Sequence, residues 1–299
     1  MKIFKSVLLL GFAMAAAPAL AELKVFACEP EWGALVRELG GDQVEVYTAT
    51  TAWQDPHRVQ ARPGLIAQAR GSDLLVCNGA GLEAGWLPLL LRRASNAAIQ
   101  PGQPGHFLAA ERVALKEAPA VLDRRQGDVH AEGNPHIITD PNHVLTVANA
   151  LAPVLVKLDA ENAEVYLQRH ASFSRRWQQA VLEWERRAQP LKGQALLVQH
   201  DSWIYLVGWL GMRQVGVLEP VAGIAPGAGH LARVLSGLKD EEVSMVVRAA
   251  YQAPRPTRWV AEQSGIPEVV LPYTVGAEGA DDLFVLYETT LGRMLEALP

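Results

Sequence analysis

Three histidines stand in short polar segments that could carry metal chemistry. The segments are Asp55-Pro56-His57, Asn134-Pro135-His136 and Gln199-His200-Asp201. They lie in widely separated parts of the chain, so no single helix or hairpin can bring the three imidazoles together. If the fold does so, the converging imidazoles form a site of the kind that binds a metal ion, Zn²⁺ first of all. Each proline-containing segment alone is also an ordinary turn signal.

The N-terminus predicts an exported protein. Two lysines precede an apolar stretch from Val7 to Ala17, and Ala19-Leu20-Ala21 has the small residues of a cleavage site. We therefore predict a cleaved secretory signal peptide over residues 1–21. Glu22 follows the predicted cleavage site where a lipid-anchored protein would have a cysteine, so a lipid anchor is not expected.

Composition and charge limit the kinds of partner. The 299 residues carry a formal net charge of −5 at pH 7, without the basic stripe that nucleic acid requires. With 49% hydrophobic residues the chain can bury a substantial core, and its length is one at which chains divide into two domains. We expect a two-lobed protein that binds no nucleic acid.

Cys28 and Cys77 are the only cysteines of the chain. Each closes a short apolar run that predicts a strand, and neighbouring parallel strands would bring the two within bridging distance. In an exported protein this arrangement favours a disulfide. Two buried thiols and a pair of soft metal ligands are the alternatives.

Apolar runs and amphipathic stretches alternate in two regions of the chain, which predicts parallel sheets covered by helices. The first region contains predicted strands at 23–27, 44–48 and 73–77 and predicted helices at 33–39, 63–70 and 82–93. The second contains predicted strands at 195–199, 212–217, 243–247 and 268–271 and a final helix at 281–298. The predicted fold class is therefore α/β.

A long amphipathic helix is predicted between the two regions, from Asp159 to about Ala188. Its large apolar residues share one face, and Asp159 is a suitable N-cap. At ~1.5 Å per residue such a helix spans about 45 Å, enough to contact both regions as a rigid backbone. The predicted organisation is a signal peptide (1–21), an N-terminal lobe (22–155), a linking helix (156–190) and a C-terminal lobe (191–299).

The histidines fall where α/β sheets bind ligands. His200 directly follows a predicted strand, and His57 lies in the loop after the predicted strand at 44–48. Ligands of open α/β sheets bind at the carboxyl ends of strands. His57 and His136 belong to the first lobe and His200 to the second, so a site that joins them lies in the cleft between the lobes. Such a cleft suits the capture of a small solute.

Several further motifs accompany the three histidine segments. They include the run from Ser72 to Glu83, residues 127–130 and the stretch from Glu219 to Leu231. In content and order these motifs resemble the zinc- and manganese-specific solute-binding proteins of bacterial ABC transporters, the cluster A-I family. The resemblance covers the whole predicted mature chain, including the long helix.

The resemblance implies two parallel-sheet α/β lobes joined by one long rigid backbone helix, with the metal site in the cleft between them. It also implies that the three histidines named above are metal ligands. The family's fourth ligand is an acid that follows a strand late in the second lobe. No acid directly follows the predicted strand at 268–271, so we expect Asp282 in this role, with Asp281 as the alternative and water as a substitute for either.

Three imidazoles and one carboxylate predict Zn²⁺ as the bound ion. In manganese-binding members of the family an acid replaces the third histidine, so the presence of His200 makes Mn²⁺ less suitable. Zinc-binding members often carry a long loop rich in histidine and aspartate before the second histidine motif. Residues 118–133 are a short equivalent, and His130 within them is a candidate auxiliary ligand.

The resemblance further implies a periplasmic binding protein that delivers zinc to the membrane permease of an ABC transporter and is not an enzyme. We expect a monomer, and a periplasmic zinc chaperone is a further candidate partner. A second hypothesis is a zinc hydrolase-like enzyme with three histidine ligands, whose metal keeps an open position for water. A third is an adhesin-like metal-binding protein of the same fold.

Overall fold

Two α/β lobes make up the protein. The computed structural model describes residues 22–119, 127–128 and 130–298, so the predicted signal peptide lies outside the described residues. The first lobe contains a parallel sheet of four strands in the order β2-β1-β3-β4. Its elements are β1 (Leu23–Ala27), α1 (Pro30–Gly40), β2 (Val44–Thr48), α2 (Pro63–Arg70), β3 (Leu74–Cys77), α3 (Leu87–Ala94) and β4 (His106–Leu108).

Most predicted elements of the first lobe are confirmed, and the main differences concern α3 and β4. β1, β2 and α2 have the predicted bounds. α3 begins at Leu87 instead of residue 82, because a turn with positive φ at Gly79, Ala80 and Gly81 is followed by further turns up to Trp86. β4 was not predicted, since three residues are too few to show a periodic pattern.

Two helices, α4 (Pro141–Leu158) and α5 (Ala163–Arg187), connect the lobes. The predicted start of the long helix at Asp159 agrees with the structure, in which a 3-10 turn (Ala160–Asn162) leads directly into α5, but the predicted side-chain cap is absent. Asp159 ends α4, and its carboxylate accepts hydrogen bonds from the Tyr166 hydroxyl (2.6 Å) and the Asn162 side chain (2.8 Å) instead of capping a helix. Within the described residues no single helix is long and apolar enough to cross a membrane, and α4 and α5 meet that criterion only as a pair bent by 119°.

The α5 helix is a rigid backbone because it packs against both lobes. On the first lobe, Arg169 donates to the backbone carbonyl of Glu38 at the end of α1, and Trp177 donates to the carbonyl of Pro141. On the second lobe, Trp177 and Trp184 pack against Tyr287 of the last helix, at ring-centroid distances of 5.5 and 5.2 Å. Aromatic contacts of this size bury much apolar surface and hold the helix to the second lobe, while the hydrogen bonds hold it to the first.

The second lobe repeats the architecture of the first. Its four parallel strands have the order β6-β5-β7-β8. Its elements are β5 (Ala195–Val198), α6 (Ile204–Leu210), β6 (Arg213–Val217), α7 (Ala228–Gly237), β7 (Val243–Ala249), α8 (Arg255–Ser264), β8 (Glu268–Leu271) and α9 (Leu283–Glu296). All four predicted strands are confirmed within two residues at each end, so the fold is the predicted pair of parallel-sheet lobes joined by a long helix.

A disulfide joins Cys28 and Cys77, as predicted, with the two Cα atoms 4.7 Å apart. Cys28 directly follows β1 and Cys77 ends β3, and these strands are neighbours in the first sheet. Both cysteines are fully buried. The bond therefore fixes the carboxyl ends of two central strands, from which the loops toward the cleft begin.

Candidate metal centre

His57 is placed by a short helical turn, Pro56–Arg58, in the loop after β2. Asp55 begins this turn, and its carboxylate accepts both the His57 backbone N–H (3.0 Å) and the Nδ1 proton of the His57 ring (2.8 Å). The indole of Trp86 donates to the carbonyl of Pro56 at 3.0 Å and holds the turn against the first lobe. The Asp-Pro-His segment therefore fixes both the backbone and the ring of its histidine.

His136 stands immediately before another helical turn, Ile137–Thr139. The Asn134 side chain accepts the backbone N–H of His136 (3.1 Å), and Asn78, just after β3, donates to the carbonyl of Pro135 (2.8 Å). The Asn-Pro-His segment is thereby attached to the carboxyl end of the first sheet, where ligands of α/β folds bind.

The structure brings together the three histidines that the sequence singled out. One ring nitrogen of each lies within 4.8 Å of those of the other two. His200 enters from the second lobe, directly after β5, and His136 and His200 are buried. The Nε2 atoms of His136 and His200 are 3.3 Å apart. The three imidazoles therefore meet across the cleft between the lobes.

A fourth imidazole, that of His130, lies beside this group. Its Nε2 atom is 3.2 Å from the Nε2 atom of His57. Nitrogen atoms bound to one tetrahedral Zn²⁺ at 2.0–2.1 Å are about 3.4 Å apart. Each of the two nitrogen pairs, His57 with His130 and His136 with His200, thus has the separation of ligand atoms that share one ion. The group of mutually close ligand atoms contains His57, His136 and His200 but not His130.

The outer nitrogens of the rings have partners that turn the Nε2 atoms toward the centre. Nδ1 of His57 donates to Asp55, and Nδ1 of His200 donates to Glu219 at 2.7 Å. A carboxylate can only accept, so each of these rings carries a proton on Nδ1 and, in its neutral form, a lone pair on Nε2. Partners of this kind orient metal-binding histidines and make them more basic.

Burial and mutual repulsion keep two of the imidazoles neutral. Burial lowers the pKa of His136 well below its usual value, and the neighbouring His200 and His57 lower it further. Burial also lowers the pKa of His130, to about 4. Burial opposes protonation of His200 too, but the hydrogen bond and the charge of Glu219 outweigh it and raise that pKa. At neutral pH His136 and His130 therefore present lone pairs.

The acids expected to supply the fourth ligand lie elsewhere. Asp281 and Asp282 are exposed, and the Asp282 carboxylate accepts the backbone N–H of Val285 (2.9 Å) as the N-cap of α9. Among the described residues, the group of mutually close ligand atoms contains no carboxylate. Asp282 caps a helix, and neither Asp282 nor Asp281 belongs to the group of mutually close histidine ligand atoms.

Tyr273, which the sequence reasoning overlooked, occupies the region after β8 where the acid was expected. Its hydroxyl lies 2.7 Å from Nδ1 of His136, and both side chains are buried. In this position the tyrosine is the hydrogen-bond partner of a candidate metal ligand. The sequence signal that could have identified Tyr273 was its position two residues after the predicted strand at 268–271.

Two cavities flank His57 and connect the imidazoles with the surface. One of about 240 Å³ is lined by the acids Asp55, Asp128 and Glu219 as well as by His57 and His200. The other, of about 600 Å³, has both His57 and His130 in its lining. The carboxylates around the smaller cavity attract cations toward the imidazoles. The arrangement suits the passage and capture of a metal ion.

Comparisons with known proteins agree with this geometry. The zinc uptake protein ZnuA of Paracoccus denitrificans is 26% identical over 97% of this chain and 96% of its own length. The manganese ABC transporter lipoprotein PsaA of Streptococcus pneumoniae is 20% identical over 93% of this chain and 89% of its own. A crystal structure of ZnuA has a TM-score of 0.76 at 22% identity and covers 93% of this chain and 100% of that chain.

The family comparison extends over nearly the whole chain. The family model described as "Zinc-uptake complex component A periplasmic" matches residues 25–298, which include both sheets, the linking helices and all four imidazoles. The chain therefore belongs to the family of periplasmic component A proteins of zinc-uptake complexes.

Proposed function

We propose that this protein is the periplasmic zinc-binding component of an ABC uptake system, which captures Zn²⁺ between its lobes and delivers it to a membrane permease. The observation that carries the proposal is the convergence of His57, His136 and His200 from two lobes onto one point. Membership of the zinc-uptake family and similarity to ZnuA support it.

His130 completes the ligand set in this proposal. Its Nε2 atom lies beside that of His57 at the separation expected for ligands of one ion, and its pKa of about 4 leaves it neutral at physiological pH. The bound ion then has four imidazole ligands and no carboxylate.

The nitrogen ligands favour zinc over manganese. Imidazole suits Zn²⁺, whereas Mn²⁺ prefers the oxygen atoms of carboxylates and water and binds more weakly to nitrogen sites. Similarity to the manganese lipoprotein PsaA therefore does not outweigh the chemistry of this site. Cu²⁺ and Ni²⁺ also bind imidazole, so the supply of metal in the periplasm contributes to selectivity.

The same ligand set argues against the hydrolase-like alternative. A catalytic zinc keeps one position open for water, whereas in this proposal His130 would take the fourth tetrahedral position. The similar proteins are transporter components, which agrees with binding and delivery as the function of this chain. In this proposal the exported protein acts as a monomer and its partner is the permease.

Zinc binding by the mature chain tests the proposal. We would remove the metal from the wild-type protein and measure the Zn²⁺ dissociation constant by competition with a chelator. His57→Ala, His136→Ala and His200→Ala should each weaken binding by at least about 10-fold. His170→Ala, which removes a partly exposed histidine of α5 bonded to Asn149, is the matched control. Wild-type affinity in all three cleft variants would contradict the proposed function.

A further inference from the structure

The residue next to His57 reaches across the cleft. The guanidinium group of Arg58, in the first lobe, donates a hydrogen bond of 2.8 Å to the backbone carbonyl of Gly223 in the second lobe. Asp55 and Asp128 lie 3.6 and 3.9 Å from the same guanidinium and hold it over the cleft. Arg58 thus connects the lobes within one residue of a proposed metal ligand.

The peptide unit that receives Arg58 also supports the opposite side of the site. The backbone N–H of Gly223 donates to Glu219 Oε2 at 2.7 Å, and this same oxygen accepts Nδ1 of His200 at 2.7 Å. A continuous set of contacts therefore runs from Arg58 through Gly223 and Glu219 to the ring of His200.

Glycine is required at position 223 for two reasons. Its φ angle of +76° is one that residues with a side chain rarely adopt. A Cβ atom there would also overlap the carboxylate of Asp128 and crowd the Arg58 guanidinium. The close approach of the two lobes is completed by the backbone N–H of Asp128, which donates to the carbonyl of Ala222 at 3.2 Å.

We propose that Arg58 is a positioning residue that clasps the closed lobes through Gly223 and Glu219, fixes the His200 ring, and thereby sets the rate at which the bound ion leaves. The inference rests on the proposed function, because it concerns release of the captured Zn²⁺. Opening the cleft must break the Arg58–Gly223 and Asp128–Ala222 hydrogen bonds, and the loop that carries Glu219 then loses these attachments to the first lobe. A permease that opens the lobes would weaken the metal site by the same route.

The dissociation rate of Zn²⁺ distinguishes this role from general stabilisation. In Arg58→Ala we expect dissociation into excess chelator to accelerate by about 2- to 10-fold, the effect of one hydrogen bond that is partly exposed to water. The thermal midpoint of the metal-free protein should stay within about 1 °C of wild type, because surface substitutions of this kind have little effect on unfolding. Arg58→Lys, which keeps a charged donor, should restore part of the slow release.

Two further variants provide matched controls. Arg62→Ala removes an exposed arginine of the same lobe and should release Zn²⁺ at the wild-type rate. Gly223→Ala should accelerate release at least as much as Arg58→Ala, whereas Gly227→Ala should not, because Gly227 has a φ of −84° and open space around its Cβ position. Adding Arg58→Ala to Gly223→Ala should have no further effect, since both break the same clasp.

The outcomes separate the clasp from the proposed function. Wild-type release from Arg58→Ala, or equal acceleration in Arg62→Ala, would overturn the clasp while leaving zinc capture intact. Additive effects of Arg58→Ala and Gly223→Ala would overturn it as well. A wild-type chain that retains no Zn²⁺ would overturn the proposed function and the clasp together.

Discussion

The hydroxyl of Tyr273 lies 2.7 Å from Nδ1 of His136, and this contact joins the second lobe to a histidine of the first. Burial and the neighbouring Tyr251 raise the pKa of Tyr273 well above its usual value, so it remains a neutral phenol. A neutral phenol can accept the Nδ1 proton and leave the Nε2 lone pair of His136 for the metal. The residue after β8, where an acid was expected, is thus the hydrogen-bond partner of the proposed ligand His136.

Removal of the Tyr273 hydroxyl should weaken zinc binding without removing a ligand. We expect Tyr273→Phe to raise the Zn²⁺ dissociation constant by about 10- to 100-fold, the usual effect of losing a partner of a metal-binding histidine. The visible spectrum of the Co²⁺-substituted protein should keep its tetrahedral form. Tyr47→Phe, which alters a strand of the first lobe away from the imidazoles, is the control. A Tyr273→Phe variant with wild-type affinity would show that the contact does not support the site.

Removal of the fourth imidazole should change the coordination itself. His130→Ala leaves three ligands and an open position, which water can fill. We expect weaker Zn²⁺ binding and a Co²⁺ spectrum that shifts from a four-nitrogen pattern to one with an oxygen ligand. His106→Ala, in β4 of the first lobe, is the control. An unchanged Co²⁺ spectrum in His130→Ala would exclude this histidine from the ligand set.

Asp282 should contribute to stability and not to metal binding. Its carboxylate caps α9, and loss of an N-cap side chain costs about 1 kcal/mol of unfolding free energy. Asp282→Ala should therefore lower the stability of the metal-free protein in urea while the Zn²⁺ dissociation constant stays the same. Asp282→Asn keeps a capping oxygen and should recover most of the stability. A loss of zinc affinity in both variants would instead identify Asp282 as a ligand.

Acid should release zinc, and His200 should take up a proton before His136 and His130 do. Glu219 raises the pKa of His200 above its ordinary value, near 6.5, whereas the pKa values of His136 and His130 are lowered. Protonation competes with metal, so affinity should begin to fall as the pH drops toward the raised pKa of His200.

Glu219→Gln tests this order of protonation. The substitution removes the charge that raises the pKa of His200, so the onset of acid release should move to lower pH even though affinity at pH 8 decreases. Measuring the Zn²⁺ dissociation constant from pH 8 to pH 5 in both proteins provides the comparison. A release curve in Glu219→Gln that begins at the wild-type pH would show that another group takes up the first proton.

The fold was predictable where local patterns are strong. Strands such as Ala195–Val198 are continuous apolar runs bounded by polar residues, and their positions followed from the sequence. The side-chain partner of Asp159 did not follow, because Asp159 has the chemistry of a helix cap but accepts a hydrogen bond from Tyr166. Local propensity does not distinguish a carboxylate that accepts the backbone N–H groups of a helix from one that accepts a nearby side-chain hydroxyl.

The site was predictable only in part, for a similar reason. His57, His136 and His200 stand in recognisable segments, and their meeting point followed from the rule that ligands bind at the carboxyl ends of strands. His130 was a candidate from its motif, but its pairing with His57 and the contact of Tyr273 with His136 join residues far apart in sequence, which local patterns do not specify. Asp282 was expected as the acidic ligand because it is an acid late in the chain. In the structure its carboxylate accepts the backbone N–H of Val285.

The disulfide between Cys28 and Cys77 makes assembly of the site depend on the compartment. Asn78, which follows Cys77, holds the segment of His136, and the loop that continues from it reaches the ring of His130 at Gly81. The bond constrains the unfolded chain and contributes roughly 2–4 kcal/mol in proteins of this kind. It forms only where thiols are oxidised. A copy of the chain held in the reducing cytoplasm would lack this disulfide. We therefore expect the metal site to become fully ordered only after export.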